Sequence, residues 1–204
     1  MNQKPITSDI GYQISNPTGV SISPDGNLAV YGVSKPDIES GKLKNSLWIK
    51  DLNAPESAPR ELTNGSSDGN PKFSPDGSSV AFLRPDPKGR NQIWLLQMSG
   101  GEAVVITTLK ESVRDFCWKP NSTGFAAVSD VDPETEGESD NDQTNVISIT
   151  RIRYRHDELR WRGNSATQIF DVDILTKESK QLTCDDGDQG IPSWSPDGSK
   201  LAFI

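Results

Sequence analysis

Long hydrophobic runs are missing from this 204-residue chain: no uninterrupted apolar stretch exceeds four residues, as in Ile93 to Leu96. A bilayer-spanning helix takes about 20 such residues, so no membrane segment is expected. Met1 to Ile14 carries one Lys and no apolar core, and so lacks the pattern of a secretory leader. Cysteine is scarce. Cys117 and Cys184 cannot build a disulfide framework, and Cys117, inside Phe116-Cys117-Trp118, reads as a small buried hydrophobe. One histidine, His156, leaves no second His for a metal pair. Apolar residues make up only 32%, where an ordinary globular domain has about 45–50% counted with glycine. Basic residues are in deficit, 21 Lys and Arg against 29 Asp and Glu, for a net charge of −8. That balance speaks against non-specific nucleic-acid binding. These absences predict a soluble cytoplasmic protein with no membrane or nucleic-acid partner, no cofactor and no metal.

Turn formers and aromatics are plentiful instead: 17 Gly, 14 Pro, 6 Phe, 5 Trp and 3 Tyr. They fall in a repeat. Ser23-Pro24-Asp25-Gly26, Ser74-Pro75-Asp76-Gly77 and Ser195-Pro196-Asp197-Gly198 are the same tetrapeptide, and Lys119-Pro120-Asn121-Ser122 is a degenerate fourth copy. Each is followed by an apolar run: Leu28 to Tyr31, Val80 to Leu83, Phe125 to Val128 and Leu201 to Ile204. Pro presets φ, Asp bonds its own backbone and Gly takes positive φ, so each copy predicts a tight turn between antiparallel strands.

Two further anchors recur. Leu47-Trp48-Ile49, Ile93-Trp94-Leu95 and Ile169-Phe170-Asp171-Val172 are strand-like, and Leu62-Thr63, Ile106-Thr107 and Leu182-Thr183 follow 13 to 15 residues after the aromatic. Each unit therefore reads as four short strands, the make-up of a propeller blade. Successive turn prolines are 51, 45 and 76 residues apart. The first two spacings match a propeller period, and the third carries an insertion. Leu109 to Phe116 is long enough for a helical turn or two, and nothing supports a helical fold class.

The expected fold is all-β, a partial β-propeller of four-stranded antiparallel blades with TolB-like repeats. Its parts are a lead-in over 1–18, blade 1 over 19–63, blade 2 over 64–107, blade 3 over 108–183 with an insertion at about 130–165, and the first hairpin of blade 4 over 184–204. Three and a half blades do not close a ring, so the chain is expected to be the N-terminal part of a longer protein. A complete small protein that closes a ring by oligomerising is the other possibility.

The insertion holds most of the charge. Asp130 to Asp142 contains seven acids and no base. A calcium loop needs Gly at its sixth position and Glu at its twelfth, where this chain has Thr135 and Asn141, so a solvated acidic loop is expected. Five Arg lie between Arg151 and Arg162, interleaved with Tyr154 and Trp161. Such a pattern stacks on single-stranded nucleic acid, but beside an acidic loop it neutralises itself. Asp157 and Glu158, which follow His156, are the candidate substrate-binding residues, as carboxylates able to hold a substrate ammonium.

Gly65-Ser66-Ser67-Asp68-Gly69 matches the G-x-S-x-G pattern of a serine nucleophile, but no apolar strand precedes it and Pro71 to Pro75 replaces the helix that should follow. No catalytic residue is assigned. The sequons at Asn64 and Asn121 carry little weight without a secretory leader.

The Ser-Pro-Asp-Gly turns, aromatic third strands and closing Leu-Thr resemble two kinds of propeller, the TolB-type periplasmic one and the N-terminal propeller of prolyl oligopeptidase family serine peptidases. The run Asn16 to Tyr31, the run Lys44 to Leu52, and Arg151 to Asp157 followed by Gln168 to Val172 are similar to the acylaminoacyl-peptidase and dipeptidyl-peptidase-like branch of the second. The resemblance implies a propeller that caps a C-terminal α/β-hydrolase domain with a Ser-Asp-His triad and restricts entry to peptides. The implied partners are that domain, absent from this chain, and peptide substrates. The alternative is a non-enzymatic TolB-like propeller acting as an interaction scaffold.

Overall fold

The computed structural model describes residues 11–12, 14–132, 155–156, 160–161, 165–185 and 187–204. Its described residues form three four-stranded antiparallel sheets and two two-stranded hairpins, with no α-helix among them. The first sheet is formed by β1 (Asn16–Ile22), β2 (Leu28–Asp37), β3 (Lys42–Asp51) and β4 (Arg60–Glu61), in that order. The second is formed by β5 (Gly69–Phe73), β6 (Ser79–Pro85), β7 (Asn91–Gln97) and β8 (Val104–Val105). The third takes β9 (Val113–Trp118), β10 (Gly124–Val131), β13 (Ala166–Asp173) and β14 (Ser179–Gln181). Between β10 and β13 lies a small hairpin, β11 (Arg155–His156) with β12 (Arg160–Trp161). The hairpin β15 (Ser193–Trp194) and β16 (Leu201–Ala202) ends the chain. This is the partial propeller that the repeat predicts. Leu109 to Phe116 makes no helical turn, because Val113 to Phe116 enters β9 and pairs with β10.

The sheets are stacked face to face around their first strands: β1 lies against β5, β5 against β9 and β9 against β15. Side chains alternate across each strand, and the second sheet shows the result most clearly. Val80, Phe82 and Leu96 join Val30, Leu47, Ile49 and Phe73 in a core between the first and second sheets. Ala81, Leu83, Ile93 and Leu95 join Phe116, Phe125, Ala127 and Val172 in a core between the second and third. Phe125 is packed edge-on against Phe116, with ring centroids 5.5 Å apart, and lies 4.3 Å from the Trp118 ring.

Repeated polar devices hold each sheet in shape. In the three Ser-Pro-Asp-Gly turns the Ser hydroxyl donates to the Asp carboxylate at 2.5 to 2.6 Å. It also accepts the backbone N–H five residues on, from Leu28, Ser79 and Lys200. The glycines sit at φ 76°, 73° and 70°, where only glycine is unstrained. The degenerate copy keeps the turn, with Ser122 at φ 61° in the glycine place. At the far edge of each sheet, Thr63, Thr107 and Thr183 are buried, and their hydroxyls accept the N–H of Leu47, Ile93 and Ile169 at 3.1, 2.8 and 2.9 Å.

Candidate functional site

The two ends of the stack differ. At one end the turns between first and second strands pack on one another. A Cβ on Gly77 would touch the Pro24 ring, one on Gly198 would touch Pro120, and the Asp76 N–H donates to the Ser122 hydroxyl at 3.1 Å. This rim is uniform and occupied by its own side chains. The opposite end carries the connections between second and third strands, and these are unequal. The first sheet extends β2 and β3 to ten residues each, the second closes over Asp86 to Arg90, and the third is interrupted by the whole of 132–165. Function is grafted onto unequal loops held by a rigid frame, so this second end is the candidate functional site.

Its polar groups are fixed in pairs. Asp68 is fully buried and takes a bidentate bond from Arg84, Nε to Oδ1 at 2.6 Å and Nη2 to Oδ2 at 2.8 Å. The Arg84 guanidinium lies 5.1 Å from the Phe82 ring and 4.9 Å from that of Trp94, and the Asp68 bond raises its pKa further. The loop that brings Asp68 here is the G-x-S-x-G match. Ser66 accepts the Asn45 N–H at 2.9 Å, the Asp68 N–H donates to the Asn45 carbonyl at 3.0 Å, and Ser67 is exposed. A side chain at Gly65 would collide with the Asp68 carboxylate. The motif thus seats an ion pair within the second sheet, and its backbone ties that sheet to β3 of the first.

Within the second and third sheets the pairing continues. Arg90 donates to Asp86 and to the Lys110 carbonyl, and Arg114 pairs with Asp130. A cavity of about 230 Å³ opens beside Asp130, lined by Leu109, Glu111, Val131, Asp132 and Phe170. Desolvation, together with the Asp130 charge, pushes the Glu111 carboxyl above its ordinary range. Nearer the first strands, Lys72 donates to Asp115 at 2.8 Å and to the Phe116 carbonyl, and Asn70 donates to Asp115 at 2.9 Å. Burial raises the Asp115 pKa, but these bonds outweigh it and hold the carboxyl below its usual range.

Cys117 is only half-buried, and it does more than the small hydrophobe expected from its neighbours. Burial pushes its thiol pKa up, opposed in part by the nearby backbone and the Lys72 charge. Asp157 and Glu158, the candidate substrate carboxylates, lie outside the described residues, as do the acids of 133–142. The structure places only the flanking hairpin, with Arg155 opposite Trp161 and His156 opposite Arg160.

No family model matches the chain. Over 98% of its length it is 27% identical to the uncharacterized peptidase YuxL of Bacillus subtilis, and over 97% it is 25% identical to dipeptidyl-peptidase 5 of Porphyromonas gingivalis. The relatives of this chain are peptidases. The chain spans 31% of the length of each of these two, about a third. Among solved structures, the uncomplexed acylaminoacyl peptidase of Pyrococcus horikoshii superposes with a TM-score of 0.74 at 18% identity, over 95% of this chain and 28% of that one. The β-propeller domain of the Trilobed protease of Pyrococcus furiosus gives 0.60 at 17% identity, over 94% of this chain and 49% of that one. TolB of Acinetobacter baumannii gives 0.59 at 19%, over 93% of this chain and 37% of that one. The structural likenesses establish the propeller fold. The resemblance to the propellers of peptidases, read from the turns and aromatic strands, is borne out.

Proposed function

We propose that this chain is the opening part of a propeller that stands over the α/β-hydrolase domain of a serine peptidase and limits entry to peptides. The observation that carries the reading is the match to a peptidase over 98% of the chain, in a fold shared with acylaminoacyl peptidase. In this reading the chain contributes no reacting group. Its rigid sheets hold the end with the unequal connections in place, and those connections meet the substrate. Asp157 and Glu158 hold the ammonium of a peptide with a free amino terminus.

The natural full-length polypeptide tests this with a fluorophosphonate probe, which labels an activated serine. Labelling, together with hydrolysis that falls steeply as the substrate lengthens from a short peptide to a folded protein, is the expected result. A folded full-length protein that takes no label overturns the reading and leaves the TolB-like scaffold, which the likeness to TolB favours. For the carboxylates, Asp157→Asn with Glu158→Gln should raise KM for free-amino peptides and leave acylated ones unchanged. An equal effect on both substrates removes that role.

A further inference from the structure

One asparagine of the chain, Asn64, is followed by glycine. An asparagine amide is lost when the backbone nitrogen of the next residue attacks its Cγ, and a Cβ on that residue stands in the way. Glycine has none. The attack also needs a side chain free to turn and an N–H not already engaged. Asn64 is exposed in the loop between β4 and β5, and among the described residues neither its side chain nor the Gly65 N–H makes a hydrogen bond. Three other exposed asparagines are held. Asn27 donates to Asp25 at 2.7 Å, Asn53 donates to Asn27 at 2.8 Å, and Asn121 accepts the Thr123 hydroxyl at 2.8 Å. The Ser122 N–H that would attack Asn121 already donates to the Lys119 carbonyl at 3.0 Å.

The fold keeps glycine at position 65. A Cβ there would lie 2.3 Å from both carboxylate oxygens of Asp68. Asp68 cannot swing aside, because it is fully buried and clamped by Arg84. Asn64 and Gly65 also occupy the short span between two fixed points on β3. On one side Leu62 and Thr63 donate their N–H groups to the Leu47 carbonyl, and the Thr63 hydroxyl accepts the Leu47 N–H. On the other, the Ser66 carbonyl accepts the Asn45 N–H and the Asp68 N–H donates to the Asn45 carbonyl. The two residues from Asn45 to Leu47 span about 7 Å of strand, and the loop matches that length with its present number of backbone atoms.

We infer that Asn64 is a modification site, which deamidates through Gly65 and whose isoaspartyl product loosens the tie between the first and second sheets. The Gly65 nitrogen gives up its proton to water and bonds to Asn64 Cγ. The Cγ–Nδ2 bond breaks, and Nδ2 leaves as ammonia, taking a proton back from water. Water then opens the five-membered imide. Cleavage between Cγ and the Gly65 nitrogen gives aspartate. Cleavage between the Asn64 backbone carbonyl carbon and that nitrogen gives isoaspartate, whose main chain runs through Cβ and Cγ and is one atom longer. Nothing is oxidised or reduced. The longer span no longer fits both Leu47 and Asn45, so the bonds at Asn45 give way. The site does not depend on the peptidase reading.

Ageing the natural full-length polypeptide in mildly alkaline buffer tests this, with mass spectrometry on the tryptic fragment Glu61 to Lys72. The fragment should gain one mass unit at Asn64, as two products of equal mass that separate on chromatography. The gain should be at least about tenfold faster than at Asn121, whose follower carries a Cβ. Asn64→Gln, which closes a larger ring far more slowly, should stay unchanged. Amide exchange over Asn45 and Asp68 should rise in the aged isoaspartyl fraction. Fresh Asn64→Asp, with the same charge on an unextended backbone, should exchange like the unaged protein. No gain, or one no faster than at Asn121, overturns the site. Deamidation with exchange unchanged overturns the loosening. A rise in fresh Asn64→Asp equal to that of the aged protein assigns the effect to charge, and overturns the lengthened backbone as its cause.

Discussion

At Cys117 the third sheet uses a thiol where the first uses a hydroxyl. Ser21 and Cys117 each lie two residues before a turn. Ser21 Oγ accepts the Phe73 N–H of the next sheet at 3.0 Å, and Cys117 stands at the matching place in the third sheet. Thiol labelling at pH 7 should therefore be biphasic. Exposed Cys184 reacts first and Cys117 lags, because its raised pKa lowers the thiolate fraction. Equal rates would contradict this account. Thr107 makes a second case. Its buried hydroxyl accepts the Ile93 N–H and donates to Gln92 Oε1, both at 2.8 Å. Thr107→Val keeps the shape and strands the Ile93 N–H, while Gln92 Oε1 keeps the Leu109 N–H, so it should cost about 1–3 kcal/mol in urea denaturation, the usual penalty for an unsatisfied buried group. Thr63→Val, with the single bond to Leu47, should cost less.

The turns are the elements most legible in the sequence. Pro, Asp and Gly stand where turn chemistry puts them, and the four-strand unit follows from the aromatic and Leu-Thr anchors. The serine was not legible, because its role depends on a strand five residues away that exists only after folding. The long β2–β3 hairpin left a trace: Pro24 to Trp48 is 24 residues where Pro75 to Trp94 is 19, a surplus that spacing alone could not assign to two ten-residue strands. Asp68 and Arg84 were hidden, since the partners are 16 residues apart in a stretch that imitates a nucleophile motif. The turn aspartates also set an acid response. The Ser hydroxyls, with backbone N–H groups, lower the pKa of Asp25, Asp76 and Asp197, the last to about 2. A carboxyl whose folded pKa is depressed adds stability above its unfolded value, lost as pH falls through the folded one. Stability should thus decline from about pH 4 downward, toward pH 2 at Asp197. Asp76→Asn, which keeps an acceptor oxygen, should flatten that decline, and acid titration followed by Trp fluorescence measures it. An unchanged slope would remove Asp76 from the account.

As a whole, the molecule is a row of sheets, each stabilised by its neighbours. Among the described residues, the second sheet lies between two clusters of buried apolar side chains. Amide hydrogen exchange should be slowest at Val80 to Leu83 and Ile93 to Leu96 and faster in β1, whose outer residues Val20 and Ile22 are exposed. Slowest exchange in β1 would mean that the described sheets do not depend on one another in this way.

The alternation along β6 has a consequence for how such a chain diverges. Val80 and Phe82 answer to the first sheet, while Ala81 and Leu83 answer to the third. Adjacent positions of one strand thus belong to different selective units. A volume change at 82 falls on the core of Val30, Leu47 and Ile49, and one at 81 on that of Phe116, Phe125 and Ala127. Drift at one core leaves the other untouched, and a propeller can renew its interfaces one at a time while every sheet keeps its register.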